Sequence, residues 1–161
     1  MPATQQTQVV VTVRAFVQRF SATRRGARLA RVLALQQLDA WGVPYDSEAS
    51  DAVALVVAEL ASNAVLHGRV TGRGFAVRLA YEPDAAFLRV EVSDTHDALP
   101  GRGDHCVDSE RGRGLVIVEA LALRWGVSGR SGPGKTVWAV IAVGAGVAGV
   151  SPGGPGPSVR T

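Results

Sequence analysis

The sequence predicts an α+β domain, a mostly antiparallel sheet covered by helices on one face. Two observations carry that prediction. Candidate elements follow the order strand, two helices, two strands, an irregular segment, one helix and two strands, without regular βαβ alternation. Residues 86–93, AFLRVEVS, also alternate Leu88, Val90 and Val92 against Arg89 and Glu91, as a half-buried antiparallel strand does. At 161 residues the chain is long enough to bury one hydrophobic core.

The first strand is expected over 9–18, VVVTVRAFVQ, which is β-branched and partly alternating. ARLARVLALQQLDAW, 27–41, has apolar residues at helical spacing, and Gly42 and Pro44 stop that helix. Asp46 or Ser47 can cap the next helix, which runs to Gly68, a good left-handed terminator. Strands are expected over 74–81 and 86–93, joined by Glu82-Pro83-Asp84-Ala85. Residues 94–112 lack apolar periodicity and hold turn residues throughout, the mark of a lid or binding loop. Gly114 leads into an apolar helix at 115–125, and two strands, WGVSG and KTVWAVIAV, flank Gly132-Pro133-Gly134. The expected organisation is a flexible N-terminus at 1–8, a domain at 9–143 and a disordered Gly/Pro-rich tail at 144–161.

Composition narrows the function classes. With 47% hydrophobic, 19% charged and 6% aromatic residues, the chain is no coiled coil, collagen or largely disordered protein. A single cysteine, Cys106, leaves no internal disulfide and too few ligands for a zinc finger. There is no run of 18 apolar residues, and MPATQQTQ lacks the features of a signal peptide, so a soluble, cytoplasmic protein without a membrane partner is expected. A net charge of +3 and a pI near 9.7 invite a nucleic-acid reading. All basic side chains but Lys135 are arginine, however, and Arg24, Arg25, Arg28 and Arg31 occupy the polar positions of one helix. A solvated helix face explains them, and no direct nucleic-acid partner is expected.

Two segments could hold phosphate. Gly129 to Thr136 fits the pattern Gly, four residues, Gly-Lys-Thr. That loop works only where a helix begins at the Lys-Thr, with its amides facing the phosphates, whereas VWAVIAV reads as a strand. The other candidate starts at Glu59 and Asn63, four residues apart on a helix whose inward positions are otherwise apolar, with His67 continuing the stripe. An amide oxygen can bind Mg²⁺ and a carboxylate can orient or deprotonate an attacking group. Asp94 ends a strand, where it can accept from an amino group such as adenine N6. Arg111-Gly112-Arg113-Gly114 precedes a helix and offers amides and guanidinium groups to phosphate. Thr136 places a hydroxyl among apolar residues, where it can contact a base edge.

In this order the segments resemble the boxes of the GHKL (gyrase, Hsp90, histidine kinase, MutL) ATPases. VVAELASNAVLHG resembles the N box, VEVSDTHDALP the first glycine box, RGRGLVIVEALALRWGV the second and GPGKTVWAV the closing Gly-Thr strand. The wording is most similar to the stand-alone, RsbW-like anti-sigma factor serine/threonine kinases, over roughly residues 13–142. The resemblance implies a Bergerat-type two-layer sandwich that binds ATP and Mg²⁺. Glu59 would then be the general base and Asn63 the Mg²⁺ ligand, with His67 near the phosphates. Asp94 would read adenine with support from Thr136. Gly112 and Gly114 would line the phosphates under a lid at 95–111, with Arg111 or Arg113 neutralising charge during transfer. Asp94 is followed by Thr95-His96-Asp97-Ala98, without the glycines usual in the first glycine box. The implied activity is transfer of the γ-phosphate to a Ser/Thr of an anti-sigma factor antagonist, with possible sequestration of a sigma factor by a homodimer. The alternative is a nucleotide-responsive binding module without kinase activity.

Overall fold

A computed structural model describes residues 10–67, 74–94, 109–129 and 134–144, with backbone alone at His67 and 109–114. Its elements are β1 (Arg14–Ser21), α1 (Arg24–Ala40), α2 (Glu48–His67), β2 (Gly74–Glu82), β3 (Phe87–Ser93), α3 (Ser109–Leu121), β4 (Arg124–Gly129) and β5 (Lys135–Ala142). The strands form one sheet in the order β1-β2-β3-β5-β4, and every described pairing is antiparallel. The α+β expectation is met. Residues 1–9, Gly68, residues 95–108 of the expected lid at 95–111 and residues 145–161 of the expected tail at 144–161 lie outside the described residues.

Alternation along the strands sorts the two faces of the sheet. Phe75, Val77 and Leu79 of β2, Leu88, Val90 and Val92 of β3, and Ala139 and Ile141 of β5 are buried beneath the helices. On the opposite face Glu91 pairs with Arg78 at 3.3 Å and Arg89 at 2.8 Å, and the Arg89 guanidinium lies 4.4 Å from the Trp138 ring centre. Helix α2 is central. It packs on the sheet, on α1 and on α3, burying Val53, Val56, Val57, Leu60, Ala61 and Ala64. Its stretch Glu48–Leu66 has the length and hydropathy of a membrane span, but 56% of the window is buried inside the fold, as in a core helix.

Three elements, β1, α1 and α3, differ clearly in extent from expectation. The first strand is Arg14–Ser21 rather than 9–18, because tertiary pairing sets its register: Phe20 lies opposite Phe75, with ring centres 5.6 Å apart, and Phe16 opposite Leu79. Val10, Val11 and Val13 are left exposed. Helix α1 starts three residues early, since the Thr23 hydroxyl accepts from the Gly26 amide at 3.0 Å. It ends as expected, with Gly42 at φ +89° and the Val43 and Gly42 amides donating to Leu38 and Asp39. The third helix is Ser109–Leu121 rather than 115–125. The Leu123 amide donates to the Val140 carbonyl at 2.8 Å, so ladder pairing with β5 takes up Arg124 and Trp125.

The buried stripe of α1 is Gly26, Ala30, Ala34 and Leu38, whereas Leu29 and Val32 face solvent beside the arginines. Small residues let α1 approach β1 closely. A Cβ at Gly26 would fall well inside van der Waals distance of the Ser21 carbonyl oxygen, a backbone atom with little room to yield. Although Ala favours helix over Gly by about 1 kcal/mol, this overlap decides the sign. Gly26→Ala is expected to lower the melting temperature by roughly 5–10 °C in a thermal denaturation scan. An unchanged or higher melting temperature would show that α1 is not held this tightly.

Candidate functional site

Three elements bring polar side chains to one end of the core. Asp94 follows β3 immediately, and its backbone amide donates to the Lys135 carbonyl at 3.1 Å. That bond extends the β3–β5 ladder by one step and fixes Asp94 on the same face as Val90 and Val92. Lys135 opens β5 on the face shared with Val137 and Ala139. Both residues are nearly removed from solvent, Asp94 at 5% and Lys135 at 7% exposure, and Lys135 Nζ lies 4.0 Å from Asp94 Oδ2. Carboxylate and ammonium groups are rarely buried unless paired.

The pair closes one wall of a cavity of about 160 Å³. Leu60, Asn63 and Ala64 come from α2, Val92 from β3, Leu115 from α3, Trp125 and Val127 from β4, and Val137 from β5. A cavity on the order of 150 Å³ with apolar walls suits a single aromatic ring. Apolar walls, an aromatic face and a few convergent polar groups describe a ligand site. Its volume matches a base rather than a whole nucleotide.

The predicted site residues divide into groups. Asn63 and Asp94 meet at this cavity. Glu59 stands one helical turn before Asn63, half-buried and outside the cavity lining. His67 closes α2, with its side chain outside the described residues. Arg111, Gly112, Arg113 and Gly114 are corrected in position. They lie within α3, which starts at Ser109, so the helix's first free amides come before Gly114 rather than at it. Thr136 also departs from expectation: its hydroxyl is 2.7 Å from that of Ser93, on the opposite face of the sheet from Asp94. Strand alternation puts Lys135 and Val137 on the cavity wall in its place.

Lys135, Trp125, Val127 and Leu115 were not read as cavity residues from sequence. Lys135 had a usable signal, because β5 continues Val137, Ala139 and Ile141 on one face and Lys135 has their parity. Trp125 carries no clear signal, since the expected helix at 115–125 and the expected strand WGVSG both include it. Among the described residues no three His, Cys, Asp or Glu side chains converge as a metal site. His96, His105 and Cys106 of the expected lid lie outside them.

A second, larger cavity of about 920 Å³ sits at the other end of α2, lined by Ser47, Glu48, Leu55, Tyr81, Leu123 and Val143 among others. Glu48 and Asn63 are about 22 Å apart along the helix axis, so the two cavities are separate. The smaller one is the better candidate, because a buried ion pair and an amide converge there.

Comparison with known proteins bears on the family and the fold. Residues 3–141 match the family model of the histidine kinase-like ATPase domain. Among solved structures, the RsbU and RsbW domains of Rv1364c from Mycobacterium tuberculosis align with a TM-score of 0.60 at 22% identity, over 81% of this chain. The alignment covers 32% of that neighbour's length, and at this identity it shows a shared fold. No curated protein matches the sequence.

Proposed function

Since the chain belongs to the histidine kinase-like ATPase domain family, we propose that it binds ATP with Mg²⁺ and transfers the γ-phosphate to a Ser or Thr of a partner protein. The observation carrying this reading is the cavity at the end of β3, where buried Asp94 faces Asn63 of α2 across apolar walls. Family membership implies a nucleotide, and a ring-sized cavity ending in a carboxylate suits its base.

Each residue then has a task. Asp94 accepts a hydrogen bond from the exocyclic amino group of adenine, while Trp125 and the valines flank the ring. Asn63 fits Mg²⁺: its carbonyl is a hard oxygen donor at the rim, and Mg²⁺ takes few protein ligands beside water and phosphate oxygens. Bound there, Mg²⁺ would neutralise charge on the phosphates. Glu59, one turn away, accepts the proton of the attacking hydroxyl. The first turn of α3 directs free amides toward the phosphates, with Arg111 or Arg113 offsetting charge that develops during transfer. Thr136 supports Asp94 through Ser93, its neighbour on β3, rather than by touching the base. His67, Gly112 and Gly114 keep their proposed places around the phosphates.

The resemblance to RsbW-like kinases and the RsbW domain of the structural neighbour favour an anti-sigma factor antagonist as phosphoacceptor. A sigma factor is the second proposed partner and a homodimer the proposed assembly. The test is incubation with γ-labelled ATP, Mg²⁺ and a candidate antagonist. Label on a Ser or Thr of the antagonist is the expected result. Tight ATP binding with no label on any antagonist would replace the kinase by a nucleotide-responsive binding module.

A further inference from the structure

We propose that Lys135 reads the nucleobase together with Asp94, its ammonium donating to the purine ring nitrogen beside the exocyclic amino group. The proposal rests on reading the cavity as a base site and adds a second residue to its specificity. Lys135 is the chain's one lysine among 17 basic residues, and it is buried on the cavity wall rather than set on the surface. Its Nζ is 4.0 Å from Asp94 Oδ2, an ion-pair separation longer than a direct hydrogen bond. A carboxylate has about four lone-pair sites and an ammonium three donors, so each can engage a ligand atom in addition to its protein contacts.

The chemistry of the purine edge matches the pair. Adenine presents an N6 donor next to a ring-nitrogen acceptor, N7 on one side and N1 on the other. A carboxylate satisfies the donor alone and leaves the acceptor facing a low-dielectric wall, where an unmet polar group is costly. An ammonium at ion-pair distance from that carboxylate supplies the missing donor. Lysine suits the place better than arginine because its charge is compact and its stem can lie along Val92 and Val137. The same residue is the lysine of the Gly-Lys-Thr pattern, which thus serves the base rather than the phosphates.

Calorimetric titrations with ATP, 1-deaza-ATP and 7-deaza-ATP test this on the full chain and on Lys135→Met. One deaza analogue is expected to bind the unaltered chain roughly 10- to 100-fold more weakly than ATP, the effect of losing a hydrogen bond from a charged donor. That gap should close in Lys135→Met and partly reopen in Lys135→Gln, whose amide can still donate. If both analogues bind the unaltered chain as ATP does, the proposal is overturned without any variant needing to fold. It is also overturned if Lys135→Met weakens all three nucleotides by one factor and leaves the gap intact, since Lys135 would then act only through Asp94. If ATP itself does not bind the unaltered chain, the base-site reading fails and this proposal with it.

Discussion

Asp94→Asn is expected to weaken ATP binding by about 10- to 100-fold, while the unliganded protein also loses stability. Two effects combine. The carboxylate accepts from the base as a charged group, and hydrogen bonds to charged groups contribute about 1.5–3 kcal/mol. It is also the counter-charge of Lys135, which is 7% exposed and 4.0 Å away. Neutralising one member of a buried pair leaves the other charge in a poor solvent, a loss measured at about 3–5 kcal/mol elsewhere. Asparagine preserves the shape, so the Asp94 amide bond to the Lys135 carbonyl and the end of the β3–β5 ladder should persist. Calorimetry with ATP and a thermal scan check the two parts separately. Unaltered ATP affinity would remove Asp94 from the base site.

Glu59→Ala should separate chemistry from binding. General-base catalysis contributes about 10²- to 10⁴-fold in rate, and the transfer rate should fall by that factor. ATP affinity should stay within about threefold, the scale of a surface substitution, because Glu59 is outside the cavity lining and half-buried. Glu59 is only half-buried, so the fold should survive loss of its side chain. Single-turnover transfer from labelled ATP gives the rate, and titration gives the affinity. A transfer rate equal to that of the unaltered chain would assign the proton to another group. An equal loss of affinity and rate would make Glu59 a binding residue.

The sequence made visible whatever depends on local pattern. The apolar stripe of α2, the alternation of β3 and the carboxylate at its end were all readable, and the structure brings Asn63 and Asp94 of these elements to one cavity. Features set by distant residues were not. The register of β1 depends on Phe20 meeting Phe75, far along the chain, so residues 9–13 read as strand while Arg19, Phe20 and Ser21 do not. The buried stripe of α1 is not legible because Gly26, Ala30 and Ala34 are too small to stand out beside Leu29 and Val32. Trp125, shared by the expected helix at 115–125 and the expected strand WGVSG, belongs to the strand because it pairs with Ala139 of β5. Thr136 and Lys135 show the opposite failing. The Thr136 hydroxyl fits the closing Gly-Thr strand of the resemblance, but the parity of β5 turns it toward Ser93 and gives the cavity to the lysine.

The siting of the nucleotide is most directly tested by backbone amide chemical shifts of the isotope-labelled chain during titration with ATP and Mg²⁺. The expected shifts are largest at Asn63, Ala64, Asp94, Trp125, Val127 and Lys135, the described lining of the smaller cavity. Little change is expected at Ser47, Tyr81 and Leu123 at the far end of α2. Shifts centred on that second cavity, or none at saturating ATP, would contradict a nucleotide site at Asp94.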